Sequence, residues 1–131
     1  MEPFRLDFEV RDNEVDIQGV VNNANYFIYM AHTRHKHIQN QGVDFADFAK
    51  KGLNLYLIHT EATFKAPLFS NDKFYVTSEL KREGKIKFAF MQEVRKIDDT
   101  LVLKAKNITV CIDIHNNNKP VIPDTLLKLS R

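Results

Sequence analysis

Apolar and polar positions alternate from Phe4 to Arg11, putting Phe4, Leu6, Phe8 and Val10 on one face of a first strand. Asp12 to Ala24 loses that period and carries Asn, Asp and Gly, so it reads as a loop. From Asn25 to Gln41 the spacing turns helical, with Phe27, Met30, Ala31, Arg34 and Ile38 recurring every three or four residues and Gly42 as the stop. Asp44 to Lys51 predicts a short second helix. Beyond Gly52 the pattern is strand: Leu53 to Ala66, closed by Pro67; Asp72 to Arg82; a return through Ile86, Phe88, Phe90 and Val94 after a Glu83-Gly84 turn; and Leu101 to Ile114 after Asp98-Asp99. The apolar parity of the last strand changes between Ala105 and Ile108, which predicts a bulge near Lys106-Asn107. Asn116 to Pro120 reads as a turn.

One strand, one main helix and four long strands in a meander make an α+β chain with an antiparallel sheet of about five strands. Tyr26, Phe27, Ile28, Tyr29 and Met30 are consecutive, so the helix is apolar over a wide arc and suits a position wrapped by the sheet. Tyr75, Ala89 and Met91 fall on the sheet's outer face and its edges stay open, which predicts at least a dimer.

Composition narrows the function. The 131 residues fit a single domain spanning 1–131, and 44% hydrophobic residues with ten Phe supply a packed core. The net charge of +2 argues against a nucleic-acid binder, though it allows a local basic patch. Cys111 is the single cysteine, so no internal disulfide forms, and a reducing, cytoplasmic setting is expected. The first ten residues do not form a signal peptide, and no apolar run reaches the roughly 20 residues that span a bilayer, so no membrane insertion is expected.

Candidate chemistry gathers in RDNEVDIQGVVNNANYFIYMAHTR, Arg11 to Arg34. Asp16 lies in a loop ahead of a helix whose N-terminal N–H groups and positive dipole end can polarise a carbonyl. A carboxylate beside such a group can attack the carbonyl or activate water, and a thioester releases its thiolate with little acid assistance. Loop aspartates also close turns, and Asn22, Asn23 and Asn25 are good turn and cap residues, so the pattern alone leaves both readings open.

The string D-x-x-G-V-V-N-N-A-N-Y from Asp16 to Tyr26 resembles the signature of the 4-hydroxybenzoyl-CoA thioesterase family. Arg34 and the F-K-A-P-L-F-S-N-D stretch from Phe64 to Asp72 extend the likeness over nearly the whole chain. The resemblance implies a hot-dog fold, in which the sheet wraps one long central helix. It implies hydrolysis of an acyl-CoA, with coenzyme A as part of the substrate and no separate cofactor or metal. It gives Asp16 the role of nucleophile or general base, Asn23 that of backbone donor to the thioester carbonyl, and Gly19 that of turning the loop. Val21, Asn22, Asn25, Tyr26, Arg34 and Phe64 fall around the substrate. The site is expected between subunits of a homodimer or homotetramer. Many relatives carry His at position 23 and Glu at position 31, where this chain has Asn23 and Ala31, so the Asn23 side chain can only bond or orient and Arg34 loses an acidic neighbour.

Lys81, Arg82, Lys85 and Lys87 cluster about the predicted hairpin, either as a solvated tip or as a site for the phosphates of coenzyme A. They suit an acidic acyl carrier protein equally, which leaves an acyl-carrier-protein thioesterase as an alternative, and a non-catalytic acyl-CoA-binding module as another. His32 and His35 lie one turn apart without a further ligand at metal-motif spacing, and Cys111 sits in an apolar strand as an inert thiol.

Overall fold

The computed structural model describes residues 2–130. Six strands and three helices follow the order β1 (Phe4–Glu9), α1 (Asn23–Asn40), α2 (Phe45–Lys50), β2 (Leu53–Phe64), β3 (Lys73–Glu83), β4 (Lys87–Lys96), β5 (Leu101–Asp113), β6 (Lys119–Val121) and α3 (Asp124–Leu129). A single 3-10 turn, Asp12–Glu14, lies between β1 and α1. Among the described residues, no helix is long and apolar enough to cross a membrane.

The α+β class and the single antiparallel sheet are as expected, and the architecture is that of a hot-dog fold. The strand order β1-β3-β4-β5-β2, however, is not a simple meander. β2 pairs with β5 at the far edge, and the chain then crosses back through residues 65–72 to lay β3 against β1. Leu68, wholly buried in that crossing, anchors it. The short β6, unexpected from sequence, pairs with Cys111 to Asp113 beyond the end of β4.

α1 begins two residues earlier than the periodicity predicted, because Asn22 caps it and accepts the Ala24 N–H at 3.0 Å. Asp44 does the same for α2 through the Ala46 N–H. The buried face of α1 carries Tyr26, Tyr29, Met30, Thr33, His37 and Ile38. The opposite face is not wrapped: Phe27 is 38% and Ile28 60% exposed. A sheet of this width covers one side of a helix, and the apolar arc exceeds that side.

Two further expectations are corrected. No bulge occurs near Lys106-Asn107. Leu103, Ala105, Asn107, Thr109 and Cys111 all point inward without a break in parity, and the apolar pattern shifts because two inward sites are polar. Register shifts lie instead in β2, between Leu57 and His59, and in the β4–β5 pairing, between Val94 and Arg95. On the outer sheet face, Tyr75 and Ala89 are already buried within the subunit. Arg5 covers the Tyr75 ring at 3.7 Å and the Tyr75 hydroxyl bonds Asp99, so these residues need no partner.

Inward polar side chains form a band across the sheet. Ser78 faces Gln92 in the β3–β4 register, and Asn107 faces Thr60 in the β5–β2 register. The core divides on either side of this band: Phe74, Val76, Val94 and Leu103 lie with Tyr26 and Met30, while Leu80, Phe88 and Phe90 lie with Ile38 and Leu126. The helix answers the band with its own polar groups. Gln92 Nε2 donates to the Met30 carbonyl at 3.1 Å, Arg34 Nη1 and Asn107 Nδ2 donate to Gln92 Oε1 at 3.1 and 2.8 Å, and His37 Nδ1 meets Ser78 Oγ at 2.9 Å. Bonds of this kind fix the register of α1 along the sheet, which apolar packing alone specifies less sharply.

Candidate active site at the hairpin before α1

Residues 14–22 form a tight hairpin. Asp16 N donates to Val20 O at 2.8 Å, Val15 bridges Val21, and Asn22 N donates to Glu14 O at 3.0 Å. Gly19 closes the tip with φ +82°, a left-handed conformation that a side chain would strain. The crossing loop braces the other side: Val20 bridges Phe69, Val21 N donates to Leu68 O, and Ser70 N donates to Gly19 O. Asp72 holds that loop by accepting the Phe69 N–H at 2.9 Å, which accounts structurally for the A-P…D element.

Asp16 sits exposed at the hairpin tip. Its Oδ1 accepts the Gln18 N–H at 2.8 Å and, more weakly, the Val20 N–H at 3.4 Å, so one oxygen closes the turn, while among the described residues Oδ2 has no hydrogen-bond partner. The turn-closing role of a loop aspartate is therefore present, and it leaves half of the carboxylate for chemistry. At the hairpin base, Asn22 spends its side chain on Ala24, and Asn25 donates from Nδ2 to Glu14 O at 2.8 Å. Asn23 is the first residue of α1, and among the described residues its N–H has no hydrogen-bond partner. Two ladder steps separate the tip from the base, on the order of 7 Å, room for a thioester group between carboxylate and helix end.

The flank is aromatic. Phe64, 45% exposed, meets the Tyr26 ring edge-on at 5.6 Å and Phe27 at 6.5 Å, and Ile17 at the tip is fully exposed. Tyr26 itself is buried, accepts the Leu68 N–H through its hydroxyl at 3.2 Å, and has its pKa raised chiefly by desolvation. Val21 is buried beneath the hairpin. The structure thus brings together Asp16, Gly19, Val21, Asn22, Asn23, Asn25, Tyr26 and Phe64.

The remaining expected site residues lie elsewhere. Arg34 is about 16 Å along the helix from Asn23, with its guanidinium turned to Gln92; burial lowers its pKa. It positions the helix and does not reach the hairpin. Lys81, Arg82 and Lys85 lie at the far end of β3, roughly 25 Å from the end nearest the hairpin, so they do not join Asp16 within one chain. Arg82 there folds back to the Lys85 carbonyl at 3.1 Å. His32 and His35 diverge, His35 stacking on Phe45 at 4.2 Å and His32 meeting Phe8 edge-on. Cys111 is buried, and desolvation pushes its thiol up to about 11. Gln92 and Asn107 carry no motif; their one signal is a polar residue at an inward-facing strand position.

Residues 10–129 match the family model of the thioesterase-like superfamily. The chain belongs to the thioesterase-like superfamily. An acyl-acyl carrier protein thioesterase of Arabidopsis thaliana is 33% identical over 92% of this chain, which spans 64% of that longer protein. The solved structure of a hypothetical protein from Aquifex aeolicus superposes with a TM-score of 0.87 at 30% identity, covering 98% of this chain and all of the other. A 1,4-dihydroxy-2-naphthoyl-CoA thioesterase from Synechocystis shares the fold at TM-score 0.89 and 18% identity, over 98% and 95% of the two chains.

Proposed function

We propose that this superfamily member hydrolyses acyl-CoA thioesters to free acid and CoA, with Asp16 as the catalytic carboxylate. The observation that carries the reading is the pairing, on one short hairpin, of a carboxylate oxygen with a helix N-terminal N–H at Asn23, both unpartnered among the described residues. The N–H receives the thioester oxygen and takes up the charge that develops there. Asp16 Oδ2 either removes a proton from a water that attacks the carbonyl carbon, or attacks that carbon itself to give an acyl-aspartyl anhydride that water then hydrolyses; in both cases the C–S bond breaks and the thiolate of CoA departs. Gly19 and the crossing loop fix the carboxylate, while Phe64 and Phe27 begin an apolar wall for the acyl group.

One chain supplies only part of that wall, so the functional unit is a homodimer or larger. β2 is the natural seam: it is an edge strand, and Tyr56, Leu57 and Ile58 on it are each about half exposed. Antiparallel pairing of β2 with a second copy reverses the ends. The basic hairpin of one subunit then lies at the same end as the Asp16 loop of the other, where Lys81, Arg82 and Lys85 can receive the phosphates of CoA. Closure by the second copy also makes α1 the central helix that a single chain leaves open on one side.

The likeness to the plant protein favours acyl carrier protein as a second carrier for the acyl group. Both are tested by free-thiol release from short, medium, long and aromatic acyl-CoAs, and from the same acyl groups on acyl carrier protein, with wild type and Asp16→Asn. Turnover on CoA substrates that falls about a hundredfold or more in the variant is expected. A wild type that releases no thiol from any substrate, or a variant that keeps full turnover, ends the proposal.

A further inference from the structure

A groove of about 770 Å³ runs along the other flank of α1, away from Phe27 and Phe64, between Ile28, Tyr29 and His32 on the helix and the stretch of β1 from Leu6 to Glu9. β1 is the outer strand of the sheet and, among the described residues, pairs only with β3. Strand parity shows which backbone groups face the groove. Val10 turns its N–H to Asp72 O and its C=O to Asn71 N, so Phe8 and Leu6, in step with it, turn toward β3. The N–H and C=O of Asp7 and Glu9 therefore face outward, unpaired in the ladder. Arg11 continues that parity, and its N–H is taken by Glu14 Oε1 at 2.8 Å, which shows how an acceptor engages this side.

Tyr29 is among the residues that line the same groove. Tyr29 is 3% exposed, and its oxygen is buried without a hydrogen-bond partner among the described residues, in an interior where nearly every buried polar group has one. The Glu14 carboxylate lies close enough to raise the tyrosine's pKa, after burial itself, yet the geometry does not complete a bond. The groove is also acidic: Asp7, Glu9, Asp12 and Glu14 line it against one guanidinium, Arg11, in a chain whose net charge is +2. Asp7 is joined at the rim to Arg5 at 2.9 Å and Lys73 stands opposite Glu9 in the β1–β3 register, exposed partners that offset the four acids only in part.

We propose that this groove docks an extended basic peptide segment, which adds as a strand along the free edge of β1. Its backbone bonds Asp7 and Glu9, its basic side chains meet the carboxylates, and its alternate residues lie on Phe8 and Ile28, with a backbone or side-chain polar group reaching Tyr29. The acids also oppose one register of self-pairing, a rival that the oligomeric state below tests. In antiparallel self-pairing centred on Phe8, Asp7 of one copy would face Glu9 of the other, and like charges directly opposite destabilise a sheet.

The test uses a fluorescein-labelled octapeptide of alternating Val and Lys, with an alternating Val and Glu octapeptide beside it, read by anisotropy and by amide hydrogen exchange. The basic peptide binds, the acidic one does not, and exchange slows at Asp7 and Glu9. Glu9→Pro deletes an outward N–H while sparing the ladder to β3, and weakens binding about tenfold. Because a proline variant can fail to fold, the double variant Asp7→Lys with Glu9→Lys, checked by circular dichroism, carries the second arm and shifts preference to the acidic peptide. Absence of binding by the basic peptide, equal binding of the two peptides, unchanged preference in the lysine variant, or a change of oligomeric state as the effect of Glu9→Pro each overturns the proposal. Thiol release is not a readout here, so this proposal and the hydrolytic reading fail separately.

Discussion

Gln92→Ala probes what holds α1 in place. The Gln92 side chain makes three hydrogen bonds at the centre of the polar band: it accepts from Arg34 and Asn107, and donates to the Met30 carbonyl. It is 1% exposed, so water cannot replace them. At about 1 kcal/mol for each bond, removal costs about 3 kcal/mol, before any contribution from the cavity left behind. For a domain of this size that corresponds to a fall in Tm of roughly 10 °C or more. Urea unfolding at one fixed protein concentration, followed by far-UV circular dichroism, measures it, with fixed concentration needed because assembly adds to apparent stability. Gln92→Leu is the companion variant, since it restores most of the volume but none of the bonds. If Gln92→Leu stays within about 0.5 kcal/mol of wild type, packing rather than the polar band orders the helix, and the reasoning is wrong.

Asp16→Ala removes both the acceptor for the Gln18 N–H and the reacting oxygen, whereas Asp16→Asn keeps the acceptor. The two should abolish thiol release alike, with only the alanine variant losing about 1 kcal/mol in denaturant unfolding. His37 is held below its ordinary 6.5 by burial, against Phe4 and Ser78. The unfolded chain therefore binds its proton first as pH falls below about 6.5, and stability drops over that window. His37→Gln should flatten the slope of unfolding free energy against pH between 6.5 and the folded value. The Cys111 thiol, raised to about 11 and buried, should ignore a thiol-reactive disulfide reagent until the chain unfolds, as absorbance in native and urea-containing buffer reports.

The elements visible in the sequence were those whose periodicity has a single cause. β1 alternates cleanly because one face packs on the helix, β3 and β4 alternate well enough around Ser78 and Gln92 to be read, and α2 shows itself through Asp44 and its two phenylalanines. The hairpin residues from Asp16 to Tyr26 were legible because backbone demands write themselves into residue type: a glycine where φ is positive, a capping asparagine before the first turn. Where two causes overlapped, the reading slipped. Asn107 and Thr109 are inward and polar, so hydropathy alone mimicked a bulge, and Ile58, beside the actual irregularity, looked like any strand residue. Long-range order was equally hidden. Nothing local to β2 says that it pairs with β5 rather than β3, because that choice depends on where Leu68 is buried in the crossing loop. Nor does the local pattern say how far Lys81 to Lys85 stand from Asp16, a separation that the length of β3 sets.

That separation bears on inheritance as well as on catalysis. With the acidic loop at one end of the strands and the basic hairpin at the other, each reaction centre of the proposed dimer is assembled from two copies of the gene product. A lesion in the loop and a lesion in the hairpin are then complementary rather than additive. Subunits carrying Asp16→Asn, mixed equally with subunits whose Lys81, Arg82 and Lys85 are alanine, form hybrids in half of the random pairings. In each hybrid one centre collects both lesions and the other collects neither, so the mixture of two failing proteins regains roughly a quarter of the wild-type centres. Two alleles, each silent alone, would restore one another in a cell that expresses both.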